Sequence, residues 1–248
     1  MNSVKKIQIS TQKQKAMKFI TSGNHDKAAV ILKSLLQKDH FDIELLTGLA
    51  HCYSAFGQPL EALFFLEKAL DIDPDYLHAQ FLKGCVLGDL GKYQEGIDLV
   101  KNVISSGLDD YEMHGNLGIL YQDSGDYNSA ITAFNKALSF PSIVNPEFIE
   151  VRLANCYSEL GQFTQAVKIY DKLIHDNDTN TYALFNKAIV SDKMGNSAES
   201  LKLLKQVVSI DSDFVRAWHE LADLYEKIGA PDEAKMCRTK AEDIRSKE

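Results

Sequence analysis

Seven glycines recur along the chain at a nearly constant interval. The spacing from each one to the next is 34, 34, 34, 36, 34 and 34 residues. The positions are Gly23, Gly57, Gly91, Gly125, Gly161, Gly195 and Gly229. Glycine tolerates a positive φ, so at each position it can end one helix and turn the chain into the next. A fixed period of this length predicts a tandem array of helix hairpins, in which each hairpin buries its apolar face on its neighbours.

Small side chains occur at two fixed distances from each glycine. The residues five positions after it are Ala28, Ala62, Gly96, Ala130, Ala166, Ser200 and Ala234. The residues seven positions before it are Ala16, Ala50, Gly84, Gly118, Ala154, Ala188 and Ala222. A large residue usually stands four positions before it, as at Tyr53 and Tyr225. Small positions facing large ones predict a repeated, interlocking core.

This pattern resembles the tetratricopeptide repeat (TPR) family, whose 34-residue unit reads W-x₂-L-G-x₂-Y and continues with Ala, an aromatic residue, Ala and Pro. One match is the set Trp218, Leu221, Ala222, Tyr225, Gly229 and Ala234. Another is the set Leu117, Gly118, Tyr121, Gly125, Tyr127, Ala130, Phe134 and Ala137. The run Lys-Ala-Leu-Asp-Ile-Asp-Pro at 68–74 also matches the helix end of the family's unit. The resemblance extends over residues 9–248.

The predicted organisation is a basic tail, residues 1–8, followed by a single TPR solenoid, residues 9–248. The inferred repeats are 9–42, 43–76, 77–110, 111–144, 147–180, 181–214 and 215–248. The 36-residue step adds two residues within 140–146, which we interpret as a longer turn, with a hinge or docking loop as the alternative. Arg238 occupies a position that is apolar or aromatic in other repeats, and a charged residue there is typical of a terminal cap.

The resemblance implies an all-α fold: an α-solenoid of antiparallel helix hairpins wound as a right-handed superhelix, with the first helix of each repeat on the concave side. Positions −13, −10, −9 and −6 relative to each glycine should then face the groove. In repeats 3–7 this register gives the predicted partner-binding residues Phe81, Leu82, Asn116, Ile119, Phe148, Val151, Arg152, Asn155, Tyr182, Phe185, Asn186, Ile189 and Arg216. The aromatic residues among them fit packing between neighbouring first helices equally well. The asparagine amides suit an extended peptide backbone, because an amide both donates and accepts hydrogen bonds.

Some family members hold a C-terminal carboxylate with Asn, Lys and Arg side chains from three successive repeats. Asn155, Asn186 and Arg216 match three of those positions. However, Val151 stands where the first Lys is expected, and Glu220 replaces the Arg. Glu220 would repel a carboxylate, so the sequence disfavours this mode of binding.

Catalytic and metal-binding motifs are missing from the sequence. It contains no G-x-G-x-x-G, P-loop, H-E-x-x-H or EF-hand pattern, and its seven histidines show no metal-ligand spacing. The four cysteines are far apart, which favours a structural role over a disulfide framework or a zinc site. We therefore expect neither an enzyme nor a cofactor, with an unrecognised active site as a remote alternative.

Charge is unevenly distributed along the chain. Residues 1–40 carry eight lysines and two aspartates, a net charge of +6, which leaves −14 for the remainder of a chain whose total is −8. An acidic body argues against nucleic acid as a partner and favours a basic or amphipathic ligand. No apolar run approaches the roughly 18 residues of a membrane span. With no run of signal-peptide type at residues 1–20, we expect a cytoplasmic protein.

Two functions are consistent with these features. The leading hypothesis is an adaptor that binds a peptide or helix of a partner protein in its concave groove. The alternative is a self-assembling scaffold, in which the basic, partly apolar segment Val-Lys-Lys-Ile-Gln-Ile at 4–9 enters the acidic groove of a second copy.

Overall fold

The computed structural model describes the backbone of residues 3–246 and the side chains of residues 7–246. Within that range the chain forms fourteen α-helices and no strand. The helices are α1 (Ser3–Thr21), α2 (His25–Leu36), α3 (Ile43–Ala55), α4 (Pro59–Ile72), α5 (Leu77–Asp89), α6 (Tyr93–Ser105), α7 (Tyr111–Asp123), α8 (Tyr127–Leu138), α9 (Pro146–Glu159), α10 (Phe163–Asp176), α11 (Thr181–Lys193), α12 (Ser197–Ile210), α13 (Val215–Lys227) and α14 (Pro231–Arg245). Each predicted repeat contributes one consecutive pair, which confirms the all-α fold of helix hairpins.

The turn inside each hairpin is formed by the periodic glycine. Gly57, between α3 and α4, has φ +67°. Its amide donates to the carbonyl of Ser54 at 2.9 Å, and the amide of Gln58 donates to the carbonyl of Tyr53, also at 2.9 Å. These two bonds satisfy carbonyls at the end of α3 and require the left-handed conformation that glycine adopts without strain. The predicted role of the glycines is confirmed.

The two sets of small residues lie where the helices of a hairpin touch, and all fourteen are buried. In repeat 3 a β-carbon on Gly96 would lie 2.5 Å from the backbone oxygen of Gly84. Side chains at these positions would hold the two helices apart, so the small residues fix the separation within each hairpin.

The chain divides into two compact units, one ending at Phe140 and the other beginning at Pro141. Unit 1 contains α1–α8, and its first helices contact each other in succession, α1 with α3, α3 with α5 and α5 with α7. Unit 2 contains α9–α14, in which α9 contacts α11. Each unit is held by buried clusters of Leu, Ala, Val and aromatic residues between successive helices.

The longer step between repeats 4 and 5 is a turn between Leu138 and Pro146, and the division into units falls inside it. Asn145 has a left-handed backbone with φ 55°, immediately before the first residue of α9. Proline suits that first position because the amide it lacks would have had no partner within the helix.

One difference from the predicted boundaries occurs near the start of the chain. Helix α1 begins at Ser3 rather than near residue 9, so residues 3–8 of the predicted tail are helical. The physical reason is that the sequence of α1 contains neither Gly nor Pro to end the helix earlier. Residues 1–2 of the tail and 247–248 of repeat 7 lie outside the described residues. Near the other end, the exposed Arg238 pairs with Glu226 at 2.5 Å and with Asp223 at 3.4 Å.

Candidate functional site

The first helices of unit 1 line a cavity of about 460 Å³, here called the unit 1 cavity. It is bounded by α1, α3, α5, α7 and the turns before α5 and α7. Its lining residues are Met17, Ile20, Glu44, Thr47, Gly48, His51, Tyr76, His78, Phe81, Leu82, Leu108, Asp110, Glu112 and Met113. This volume lies within the range of roughly 300–1,000 Å³ that is usual for ligand pockets.

The register counted from the glycines also holds in a repeat that the predicted set omits. Positions −13, −10, −9 and −6 from Gly57 are Glu44, Thr47, Gly48 and His51, and all four line the unit 1 cavity. The predicted set begins at repeat 3 and therefore misses these residues of repeat 2. The signal that identifies them is the same period that identifies the fold.

The four positions of the register differ in exposure. Position −13 is exposed in every repeat from the second to the seventh, at Glu44, His78, Glu112, Phe148, Tyr182 and Arg216. Positions −9 and −6 are mostly half-buried. Position −10 is buried in repeats 2, 3, 4 and 6 because it points toward a neighbouring helix. The assignment of all four positions to the groove surface is therefore corrected: position −10 mainly packs the array.

Phe81 and Phe185 are both at position −10, but only Phe81 contributes to the wall of the unit 1 cavity. Phe185 is 1% exposed and lies in the core of unit 2, so it does not present a surface to a partner. Phe81 is 4% exposed, yet it contributes to the wall of the unit 1 cavity. Packing between helices, the alternative considered for these aromatic residues, holds for Phe185 and in part for Phe81.

The remaining predicted residues of unit 1 lie at or near the cavity. Leu82 lines it and also lines an adjoining depression of about 220 Å³, where Asn116 is found. The Asn116 amide nitrogen donates to the backbone carbonyl of Glu112 at 2.9 Å, within its own helix. Ile119 is half-buried on the same helix. The structure brings Phe81, Leu82 and Asn116 together.

The unit 1 cavity has an acidic rim. Glu44, Asp110 and Glu112 contribute carboxylates, and Lys13 pairs with Glu44 at 3.3 Å and also with Asp42. Burial raises the pKa of Glu112, and the Asp110 charge adds to this, whereas His78 opposes it. Burial, with a smaller effect of His25, lowers the pKa of His51, so this ring favours its neutral form. Near neutral pH the rim is therefore negative.

In unit 2 four of the predicted residues form two pairs of arginine and aromatic side chains. Phe148 is 54% exposed, and the guanidinium of Arg152 lies over its ring at 4.9 Å from the centroid. The guanidinium of Arg216 lies over the buried Phe185 at the same distance. Such stacking holds a guanidinium in place while its edge stays able to donate. Val151 is half-buried on the helix that carries Arg152.

Three further predicted residues lie on α11. Tyr182 is 63% exposed, with its ring edge-on to Phe214 at 5.6 Å. Asn186 is half-buried. Ile189, also half-buried, lines a small cavity of about 160 Å³ together with Glu220. Tyr182 is therefore the most exposed aromatic side chain among the predicted residues of this unit.

The amide of Asn155 is used inside unit 2. Its side-chain oxygen accepts a hydrogen bond of 2.6 Å from the hydroxyl of Tyr170, which is fully buried. This contact crosses from α9 to α10 within one hairpin. The side-chain oxygen of Asn155 already accepts this structural hydrogen bond. If Asn155 also holds a peptide backbone, as predicted, it must do so while keeping the bond to Tyr170.

The part of the chain that the structure describes offers neither a clustered metal site nor a membrane-spanning helix. Residues 7–246 contain no group of three or more His, Cys, Asp or Glu side chains placed to hold a metal ion. None of the helices described is long and apolar enough to cross a bilayer. None of the four cysteines forms a disulfide; Cys52, Cys156 and Cys237 are buried and Cys85 is half-buried.

Comparison with known families gives a consistent result over most of the chain. A family model described as tetratricopeptide repeat matches residues 19–84 and 121–184. Two further models with the same description match residues 81–142 and 215–248.

Individual proteins show the same architecture. A TPR repeat-containing protein of Bacillus subtilis, YpiA, is 24% identical over 224 residues, which are 90% of this chain and 52% of that protein, so the chain spans about half of its length. The solved structure of a tetratricopeptide repeat protein from Parabacteroides merdae superposes with a TM-score of 0.73 at 18% identity, covering 95% of this chain and 93% of that one. YrrB, described as a TPR protein with an unusual peptide-binding site, gives a TM-score of 0.58 at 18% identity and covers 76% and 96% of the two chains.

Proposed function

Because the chain belongs to the tetratricopeptide repeat family, we propose that it is a non-enzymatic adaptor that binds a peptide or helix of a partner protein on the first helices of its repeats. The observation that carries this proposal is the unit 1 cavity, whose walls come from four successive first helices. An exposed concave surface with apolar walls and a few placed polar groups is typical of a binding site.

The chemistry of the cavity indicates the kind of segment that it accepts. Met17, Ile20, Phe81, Leu82 and Met113 offer apolar contact, and the rim is acidic. A basic or amphipathic segment satisfies both, because its apolar side chains gain burial while its cations face the carboxylates. The exposed residues of unit 2, above all Tyr182, Phe148 and Arg216, would supply a second set of contacts.

Site-specific photocrosslinking tests the adaptor function directly. Replacing the exposed rim residue His78 with benzoylphenylalanine places a reactive group at the cavity, and the same replacement at exposed His40, outside the cavity, is the matched control. We expect a defined crosslinked protein from position 78 in cells, and none of the same mass from position 40. Identical products from both positions, or none from position 78, would contradict binding at this cavity.

A self-assembling scaffold is the second candidate, and one observation favours it. Ile7, on the basic first helix, is 67% exposed, so an apolar side chain there is available to a second copy. Sedimentation equilibrium of the full chain and of an Ile7→Lys variant separates the two functions. Concentration-dependent association that the substitution abolishes supports the scaffold, whereas a monomer in both cases removes it.

A further inference from the structure

The most distinctive group in the unit 1 cavity is the carboxylate of Glu112. Among the residues described, no hydrogen-bond donor reaches its side-chain oxygens, although the backbone of Glu112 makes bonds at both its amide and its carbonyl. The other two carboxylates of the rim are engaged. Asp110 accepts from the amides of Glu112 and Met113 at 2.8 and 3.1 Å, and Glu44 pairs with Lys13.

The place of Glu112 at the cavity makes its charge less favourable than in open solvent, although the residue is exposed and lies in the first turn of α7, where a negative charge is favoured. Burial and the neighbouring Asp110 both raise its pKa, and His78 compensates only in part. A cation bound beside Glu112 would remove this imbalance, because an opposite charge at short range favours the ionised carboxylate.

The walls of the same cavity indicate which kind of cationic group fits there. Phe81, Leu82 and Met113 are apolar, and the ring of Tyr76 lies 5.8 Å from that of His78 at the rim. A side chain with an alkyl stem and a charged end fits such a place, because the stem covers apolar surface while the end reaches the carboxylate. Aromatic faces add a favourable contact for a cation.

Resting on the adaptor function proposed above, we infer that the unit 1 cavity is a recognition site for one lysine or arginine side chain, presented by an amphipathic segment of the partner, with Glu112 as its counter-charge. Charge complementarity extends beyond the cavity. Residues 41–140 hold fifteen Asp and Glu against five Lys, so the surface around the site attracts a basic segment and repels an acidic one.

The probe for this inference is a phage-displayed library of random 12-residue peptides, selected on the full-length protein. We expect enriched peptides to carry Lys or Arg next to apolar residues, and the Glu112→Gln variant to bind them at least ten-fold more weakly. The matched control is Glu147→Gln, which alters an exposed glutamate in the first turn of α9 in unit 2 and should leave the affinity unchanged.

A double-mutant cycle then identifies the pair of charges. The peptide's Lys is replaced with norleucine, which keeps the stem and removes the charge, and both peptides are measured on both proteins. Direct pairing predicts that the norleucine peptide binds wild type and Glu112→Gln equally, because each change already removes the same interaction. Independent, additive effects would overturn the inference.

The remaining outcomes separate this inference from the adaptor function. Peptides that lack a cation but are blocked by His78→Trp would overturn the lysine or arginine site and leave the adaptor intact. A failure to enrich any peptide that His78→Trp blocks would contradict both. Enrichment only of sequences matching the chain's own first helix, together with self-association, would assign the site to a second copy and overturn a separate partner.

Discussion

The backbone of Gly118 lies directly against the ring of Phe134, so closely that a β-carbon on Gly118 would be 2.5 Å from two of the ring carbons. Gly118 is on α7 and Phe134 on α8, and the phenylalanine is fully buried. The repeat-4 hairpin therefore depends on the lack of a side chain at Gly118, which leaves room for the ring of Phe134.

We expect Gly118→Ala to destabilise unit 1 by about 1–3 kcal/mol, because the added methyl group overpacks the contact. Helix propensity acts in the opposite direction, since alanine is better than glycine by roughly 1 kcal/mol in a helix interior. Thermal unfolding followed by circular dichroism measures the net effect. The second substitution Phe134→Leu should make Gly118→Ala less damaging than it is alone; if the two changes add, the ring is not the obstacle.

The hydrogen bond from Tyr170 to Asn155 supports the second unit. Tyr170→Phe should destabilise unit 2 by about 1 kcal/mol, because the half-buried oxygen of Asn155 loses its donor. Tyr157→Phe, a half-buried tyrosine in the same hydrophobic cluster, is the matched control and should change stability by less. Urea unfolding compares the variants, and equal losses in both would show that the 2.6 Å bond contributes nothing specific.

Phe185 and Tyr182 share one helix but should respond to truncation very differently. Phe185→Ala removes a ring that is 1% exposed and should cost about 3–5 kcal/mol of stability. Tyr182→Ala removes a side chain that is 63% exposed and should cost less than about 1 kcal/mol. Hydrogen exchange of the amides in α11–α14 measures both effects in unit 2. A large loss of protection from Tyr182→Ala would show that its ring is a packing residue, and its place in the candidate site would be lost.

The same two residues show how far the sequence determines the site. The glycine period predicted the fold and the hairpins. The same register, had it been extended to repeat 2, would also have given the cavity residues Glu44, Thr47, Gly48 and His51, which the predicted set omitted. It could not distinguish position −13 from position −10, because both lie on the side of the helix toward the groove. Their burial depends on how closely neighbouring first helices approach, which is a property of the packed array rather than of one repeat.

The pairing between side chains could not be predicted from the sequence either. Asn155 and Asn186 both match residues of the carboxylate-binding repeats, at positions −6 and −9 from their glycines, yet only Asn155 faces a buried tyrosine hydroxyl. The donor is on the second helix of the hairpin, fifteen residues away, and no periodic signal marks it. The exposed carboxylate of Glu112 was likewise visible only once the positions of Asp110 and His78 were known.

The cysteine thiols should react slowly in the folded protein. Burial raises the pKa of Cys52 to about 11 and that of Cys85 to about 12, so the reactive thiolate is scarce near pH 8. Cys156 and Cys237 are buried as well. We expect a thiol reagent such as DTNB to label the native chain at least 100-fold more slowly than the unfolded chain. Rapid labelling of Cys85 would indicate that its helix opens readily or that its environment is more polar than the structure shows.

The unpaired carboxylate of Glu112 should affect stability in a way that depends on pH. The pKa of Glu112 is raised on folding, so ionisation of this carboxyl lowers the free energy of unfolding. The full loss is present above the folded-state pKa, and it is absent well below the unfolded-state pKa of about 4.3. Glu112→Gln should therefore raise Tm at pH 7, by about 1 °C for an effect of a few tenths of a kcal/mol in a partly exposed group. The difference should vanish near pH 3, well below both values, where both side chains are neutral. Glu147→Gln is the control for the position in the helix. Glu147, like Glu112, lies in a first turn, where a negative charge is favourable, but it is outside the cavity, so this substitution should not raise Tm at pH 7. If Glu112→Gln instead lowered Tm at pH 7 by more than Glu147→Gln does, a donor in addition to the helix N-terminus would have to neutralise the carboxylate in solution. The cavity would then have no charge left for a partner's lysine or arginine to satisfy.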